Sequence, residues 1–430
     1  MKCFEQLHSK NSLEHKLYSI FAYFCMMQKK QFILLFLFST ILIAQQKDTL
    51  QIKNGIDKPS ILSTHHFGIF SSRINQNFKI TPPKTTQFSV DYASGNTFHP
   101  FVEAYLPKDP VVREAQSKYI WYQRPFKFID QETTPADYMN IIVDAVIKEF
   151  RLNLNVPLNT NNELGITLRS HLITKGKYPF SFFTSDESIE WFHSTVAGGE
   201  DPYGRRYYGL NQVNFKYTDR NGRIMAFNNN DFFISGIEFN HHYYPSFSFN
   251  STKNIFLNFG SHLGINTSKF NPSVDLGVSA NGIKRIKLKN NDELNIGVGF
   301  NVLRKNFINF KEVVDLGNNP FLASVETDIE YTRYTKKKNY HAFGIDYQIQ
   351  SRYNKLKEAD YYKLLGKWKE INGGWQHGFE TLYKALSAWS FIYTYGRPNY
   401  KLSLYIKEDF LVNNAPDFQT GISLKLPISK

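Results

Sequence analysis

Hydrophobicity alternates with a period of two along most of this chain, and that pattern constrains the fold more than any other feature. In 293–302, Leu294, Ile296, Val298, Phe300 and Val302 share one face, and Glu293, Asn295, Gly297, Gly299 and Asn301 share the other. Residues 401–407 and 418–426 repeat the pattern. Successive side chains of a strand point to opposite faces, so each such segment predicts a strand with one apolar and one polar side. About twelve segments read this way: 87–94, 139–156, 162–174, 231–243, 254–267, 273–288, 293–304, 323–335, 339–352, 380–396, 400–411 and 417–428.

The connections alternate in length. Those at 159–162, 250–253, 289–292, 336–338 and 397–399 are short and polar, whereas 95–138, 175–230, 268–272, 305–322, 353–379 and 412–416 are longer. Short turns on one side and long loops on the other predict an all-β fold, a transmembrane antiparallel up-and-down β-barrel. It has short periplasmic turns and long extracellular loops carrying one or two short helices. Both chain ends lie on the short-turn side, so the count is even, about 12 strands with a range of 10–14. Asn281-Gly282 is a hairpin signal that would split one strand, and 208–217 with 222–227 reads as an extra hairpin. A secreted soluble sandwich also alternates. Aromatic residues at strand ends favour the membrane: Trp389, Phe391, Tyr393 and Tyr395 share a face, and Tyr331 and Tyr347 lie on apolar faces, as interfacial girdles require. The barrel also reconciles 38 Phe and 26 Tyr with a negative mean hydropathy, because lipid-facing and lumen-facing positions average out.

Lys29 and Lys30 precede an apolar run over 32–44 that ends in Ala44, and polar residues follow. This predicts a signal peptide cleaved near Ala44; the alternative is a membrane anchor, for which the core is short. Met26 or Met27 is the more usual start for such a leader. The division is then 1–44, an upstream extension plus cleavable signal; 45–86, a periplasmic lead-in without sustained periodicity; and 87–430, the barrel. Cys3 and Cys25 both precede the cleavage point, which excludes disulfides and thiolate metal sites from the mature chain. Five lysines and two acids leave with the leader, taking the formal charge from +13 to +10. The basic residues are spread over turns and loops, so nucleic-acid binding is not expected. Neither cofactor nor metal is expected. The expected location is the Gram-negative cell outer membrane, with lipid, lipopolysaccharide and the outer-membrane insertion machinery as partners.

Lumen-facing charge is the first functional candidate. Strand parity places Arg169, His171, Glu238, Glu326, Asp328, Glu330, Asp346, Arg352 and Lys401 on the inner face. Charged rings tune which solutes pass, whereas opposite charges on neighbouring strands can instead pair and close the lumen. The second candidate is the 175–230 loop. Ser185 caps a short helix in which Ile189, Phe192 and Val196 share a face, and Gly198-Gly199 ends it. Glu190, His193, Asp201, Arg205 and Arg206 are its candidate binding residues; the plain alternative is a self-packed lid. A second loop helix is expected within 354–375. The elements Ile189-Glu-x-Phe-His193, Gly198-Gly-x-Asp201 and Arg205-Arg206, with Asn96-Thr-Phe98 and an Asn413-Asn-Ala-Pro-Asp-Phe418 run, resemble a family of uncharacterised Gram-negative outer-membrane proteins of porin-like β-barrel type. The resemblance implies location and fold and carries no activity. His241-His242 lies near Ser246 and Ser248, but no nucleophile elbow or acid pair accompanies it, so an enzyme is not expected. The expected role is passage or gating of a small polar solute with 175–230 as plug or lid. Two alternatives stay open: a scaffold barrel whose loops bind a partner or envelope polysaccharide, and a barrel-embedded lipid hydrolase.

Overall fold

A computed structural model describes residues 53–103, 140–176, 181–196, 210–219, 223–311, 314–335, 339–355, 385–409, 416 and 418–428. Twelve antiparallel strands close into a barrel: β1 (Thr86–Glu103), β2 (Asn140–Asn159), β3 (Asn162–Thr174), β6 (Asp231–Tyr243), β7 (Ile255–Asn266), β8 (Ser273–Lys287), β9 (Glu293–Asn309), β10 (Phe321–Tyr334), β11 (Tyr340–Gln350), β12 (Leu386–Gly396), β13 (Lys401–Glu408) and β14 (Phe418–Ile428). Each pairs with its neighbours in the barrel, and β1 pairs with both β14 and β2, so these twelve strands close on themselves. The remaining strands, β4 (Asn214–Thr218) and β5 (Ile224–Phe227), form the extra hairpin, and β4 pairs with Asn140–Asp144 of β2 at the long-loop end.

The strands fall where alternation predicts, and the strand count is the expected twelve. Asn281-Gly282 is not a turn: β8 runs unbroken through it, paired with β7 and β9. Its neighbours Val278 and Ile283 would lose their faces if the strand were split there. The connection between β6 and β7 is longer than a tight turn and contains the helix Ser248–Lys253. In the 175–230 loop, the helix Asp186–Trp191 begins at Ser185, whose Oγ accepts from the Ser188 N–H at 3.3 Å. Ile189 is buried there, but Phe192 and Val196 are exposed. Most of the second expected loop helix lies outside the described residues, as does the leader.

The faces separate cleanly. Outward positions carry Val278, Val298, Phe300, Ile329, Phe343, Ile345, Phe391 and Ile406, all exposed. The alternating inward positions carry buried Asn295, Asn301, Asp328, Glu330, Asp346 and Ser390. A soluble sandwich buries its apolar strand face; this barrel turns it outward, as a bilayer requires. Aromatic residues band both rims. Tyr347 packs against Trp389 at 4.7 Å towards the long loops, and Tyr393 and Tyr395 lie beside His341 towards the short turns. Ile345 sits mid-strand and 46% exposed. Ile345→Arg should therefore cost about 2–4 kcal/mol of folding stability in lipid. The urea midpoint in vesicles reads this directly, and an unchanged midpoint would show that the face is not lipid-exposed.

Candidate functional site: the filled lumen

Residues 53–80, ahead of the first strand, run inside the barrel. The sequence suggested only a periplasmic lead-in here. The side chains and backbone of this segment meet inward-facing groups on strands all around the circumference, and a chain can do that only from within. It enters at the short-turn end, where Lys53 bonds Tyr334 and Arg285. It rises past β13, where the Leu62 N–H donates to Tyr405 at 3.3 Å and Lys407 donates to the Leu62 carbonyl at 3.4 Å. A 3-10 turn, His66–Phe70, reverses it at the long-loop end. It descends to Phe78, whose carbonyl accepts from the Ile56 N–H at 3.0 Å, closing a hairpin on itself.

Two kinds of contact hold the hairpin. At the long-loop end the contact is apolar: Phe67 and Phe70 pack with Phe215, Tyr217 and Phe227 of the β4–β5 hairpin and with Phe270. His65 stacks on Tyr353 at 4.1 Å. So part of the aromatic load seals the lumen and does not face lipid. Below this most contacts are polar and buried, apart from a small apolar cluster of Ile56, Phe78 and Ile80 with Ile283. Lys53 pairs with Glu330, Lys58 with Glu326, and Lys79 with Glu163. Arg73 forks onto Glu149 at 2.7 and 3.0 Å. Asp57 accepts from Lys401 at 2.9 Å and from Tyr340 at 2.6 Å. Burial alone would raise the Asp57 carboxyl, but the ammonium groups of Lys401 and Lys53 outweigh it and hold it below the usual carboxylate range. Ser72 donates twice to Asp275, each at 2.8 Å.

The descending limb is extended, and its alternate residues Ser72, Ile74, Gln76 and Phe78 lie against Gly264, Gly277, Gly299 and Gly297. A Cβ at any of these would press into the hairpin; at Gly297 it would sit 2.8 Å from Phe78 and 2.9 Å from Ile56. Glycine costs strand stability, so a run of inward glycines is the sequence signal that could have revealed a second chain inside. Gly297→Val should destabilise by about 1–3 kcal/mol through overpacking, read as a lower temperature at which the folded, fast-migrating band disappears on unheated gels. No shift would show that Phe78 does not pack there.

The structure gathers most of the predicted inner-face residues into this network. Glu238 accepts from Arg151 and forms an ion pair with Arg169 at 2.7 Å; Arg169 also donates to the Ser71 carbonyl at 2.6 Å. His171 contacts Ser235 and lies 3.6 Å from Glu149. Glu326, Asp328, Glu330 and Asp346 form a buried wall on β10 and β11, and Lys401 reaches Asp57. Arg352 falls beyond the end of β11 and is half-buried. Of the loop candidates, Glu190 is buried; the His193 side chain, Asp201, Arg205 and Arg206 lie outside the described residues. Sequence reasoning missed Lys53, Asp57, Lys58, Arg73 and Lys79, the hairpin's half of the network. A polar cleft of about 150 Å3 remains open beside the hairpin, lined by Asn75, Asn77, Asn153, Asn240, Lys401 and Lys425.

No family model and no curated protein matches this chain. Among solved structures it is similar to an outer membrane channel from Pseudomonas putida F1, at 8% identity over 83% of this chain and 100% of that one, with a TM-score of 0.39. It is also similar to a bacterial polysaccharide outer membrane secretin, at 5% identity over 80% and 99% of the two chains, TM-score 0.31. A third is Wzi, an outer membrane protein involved in group 1 capsule assembly in Escherichia coli and a carbohydrate-binding β-barrel, at 11% identity over 68% of this chain and 56% of that one, TM-score 0.24.

Proposed function

We propose that this chain is an outer-membrane barrel that passes small polar solutes when its N-terminal hairpin leaves the lumen. The supporting observation is the chemistry of the contact between hairpin and wall. Between the aromatic contact at the long-loop end and the small cluster of Ile56, Phe78 and Ile80 at the short-turn end, it is made largely of paired charges and amides. An apolar core exposed by release would be costly to hydrate, at about 25 cal/mol per Å2. Separated ion pairs regain their hydration, and a buried pair is close to energetically neutral against its hydrated parts. A polar interior is therefore one from which a plug can be withdrawn. The hairpin enters from the short-turn end, which faces the periplasm in such barrels, so a pull on the N-terminus acts along the exit path. In this reading the plug is 53–80, and the β4–β5 hairpin of the 175–230 loop serves as a cap. The test is single-channel recording from the intact chain, from a chain lacking 53–85, and from a chain lacking 185–206. Steps from the second alone support the reading; steps only from the third would return the plug to the loop.

A second reading, a permanently closed barrel whose loops bind a partner or envelope polysaccharide, draws on the aromatic seal at the long-loop end. It expects no discrete conductance from any of the three chains.

A further inference from the structure

We propose that the carboxylate wall of β10 and β11 is a binding site for ammonium groups, which Lys53 and Lys58 occupy as an internal surrogate, and that the admitted solute is a polyamine-like organic cation that competes with them. The proposal rests on the solute-passage reading above. Glu326, Asp328 and Glu330 alternate down the inner face of β10, and Asp346 is the register partner of Asp328. All four are buried. The ion pairs of this wall run to the hairpin: Lys53 to Glu330, and Lys58 to Glu326, with Asp346 3.9 Å away. Neither carboxylate oxygen of Asp328 has a hydrogen-bond partner among the described residues, although the side chain is fully buried. Four carboxylates thus meet two ammonium groups from the hairpin, with Lys407 of β13 acting on Asp346 as well, and the wall has room for more positive charge than the hairpin brings.

The opposite wall is built differently. Glu149 and Glu238 have Arg151 and Arg169 on the barrel itself, so these two keep counter-charges when the hairpin leaves, and of the acids there Glu163 loses its partner Lys79. The β10 carboxylates lose theirs. They stand about 7 Å apart along the strand, a ladder that a linear polyamine can follow with one ammonium to each carboxylate. The Tyr340 ring lies 5.8 Å from the Lys53 ammonium and adds a π face suited to cations. Release also strips Lys401 and Lys407, on β13, of their hairpin partners. Ion selectivity would report both strips at once, so block of the current is the cleaner measure.

The experiment is spermidine block of the current through the chain lacking 53–85, with succinate at matched ionic strength as control. Spermidine should block at a concentration at least about tenfold below succinate, and Glu326→Gln/Asp328→Asn/Asp346→Asn should raise its half-blocking concentration by at least about tenfold, each variant referred to its own open current. Equal block by both ions, or block unmoved by the substitutions, overturns the proposal. Absence of any current defeats the passage reading instead. The full-length chain then decides: spermidine should accelerate tryptic cleavage at Lys53, Arg73 and Lys79 and succinate should not, and equal rates overturn the ammonium site.

Discussion

A chain lacking 53–85 should give discrete conductance steps in a planar bilayer where the intact chain gives none. Volume and wetting set this outcome. Eight-stranded barrels are filled by their own side chains, and barrels of 16 or more strands hold aqueous channels. Twelve strands lie between, and here the surplus interior is occupied by the hairpin. The wall it leaves behind carries Asn281, Asn295, Asn301, Glu326, Asp328 and Ser390, all polar and buried beneath it, so water replaces it readily. The aromatic seal loses Phe67 and Phe70, leaving the β4–β5 hairpin without its inner support. Folding of the shortened chain is checked by its migration on unheated gels. A folded, silent chain would refute the gating role and favour the closed scaffold.

Glu238→Ala should be the most damaging single substitution in the lumen. Glu238 is fully buried, accepts from Arg151 and is ion-paired with Arg169, with the Arg73 N–H at 3.4 Å. Removing it leaves Arg151 with Glu149 and takes from Arg169 its ion-pair partner. Breaking a buried pair from one side costs about 3–5 kcal/mol, because the orphaned charge cannot be hydrated. The urea midpoint of the intact barrel should fall accordingly. In the chain lacking 53–85, water reaches the arginines and the cost should drop to about 1 kcal/mol, the range of solvent-exposed pairs. The difference between the two backgrounds is the coupling between hairpin and network. Equal costs in both would mean that the hairpin does not keep this site dry.

Much of the barrel was legible because its signal is local. Alternation in 293–302 places Asn295 inward and Val298 outward, whichever strands lie beside it, and the sheet follows from pairing sequence neighbours. The β4–β5 hairpin was legible for the same reason. The loop helix was read correctly as far as its Ser185 cap, but its apolar stripe was only partly buried. Ile189 finds cover, and Phe192 and Val196 do not.

The hairpin was not legible, and the cause is physical. Residues 53–80 join no strand ladder and hold one short 3-10 turn, and the alternation of the descending limb is too brief to stand out as a strand. Their partners are spread around the barrel: Lys53 pairs with Glu330, 277 residues away, and Leu62 with Tyr405, 343 residues away. No local pattern records such pairs, and the inward glycines that make room for the limb read equally well as ordinary small lumen residues.

The alternation of the chain by itself pointed to a barrel of about twelve strands with an apolar outer face and a charged inner one, because side-chain direction in a strand is set by backbone geometry alone. Only the tertiary structure decided what fills the inside. The interior charges of a closed barrel can be satisfied by water, by one another or by an inserted chain, and which of these occurs depends on where a non-periodic segment lies in three dimensions.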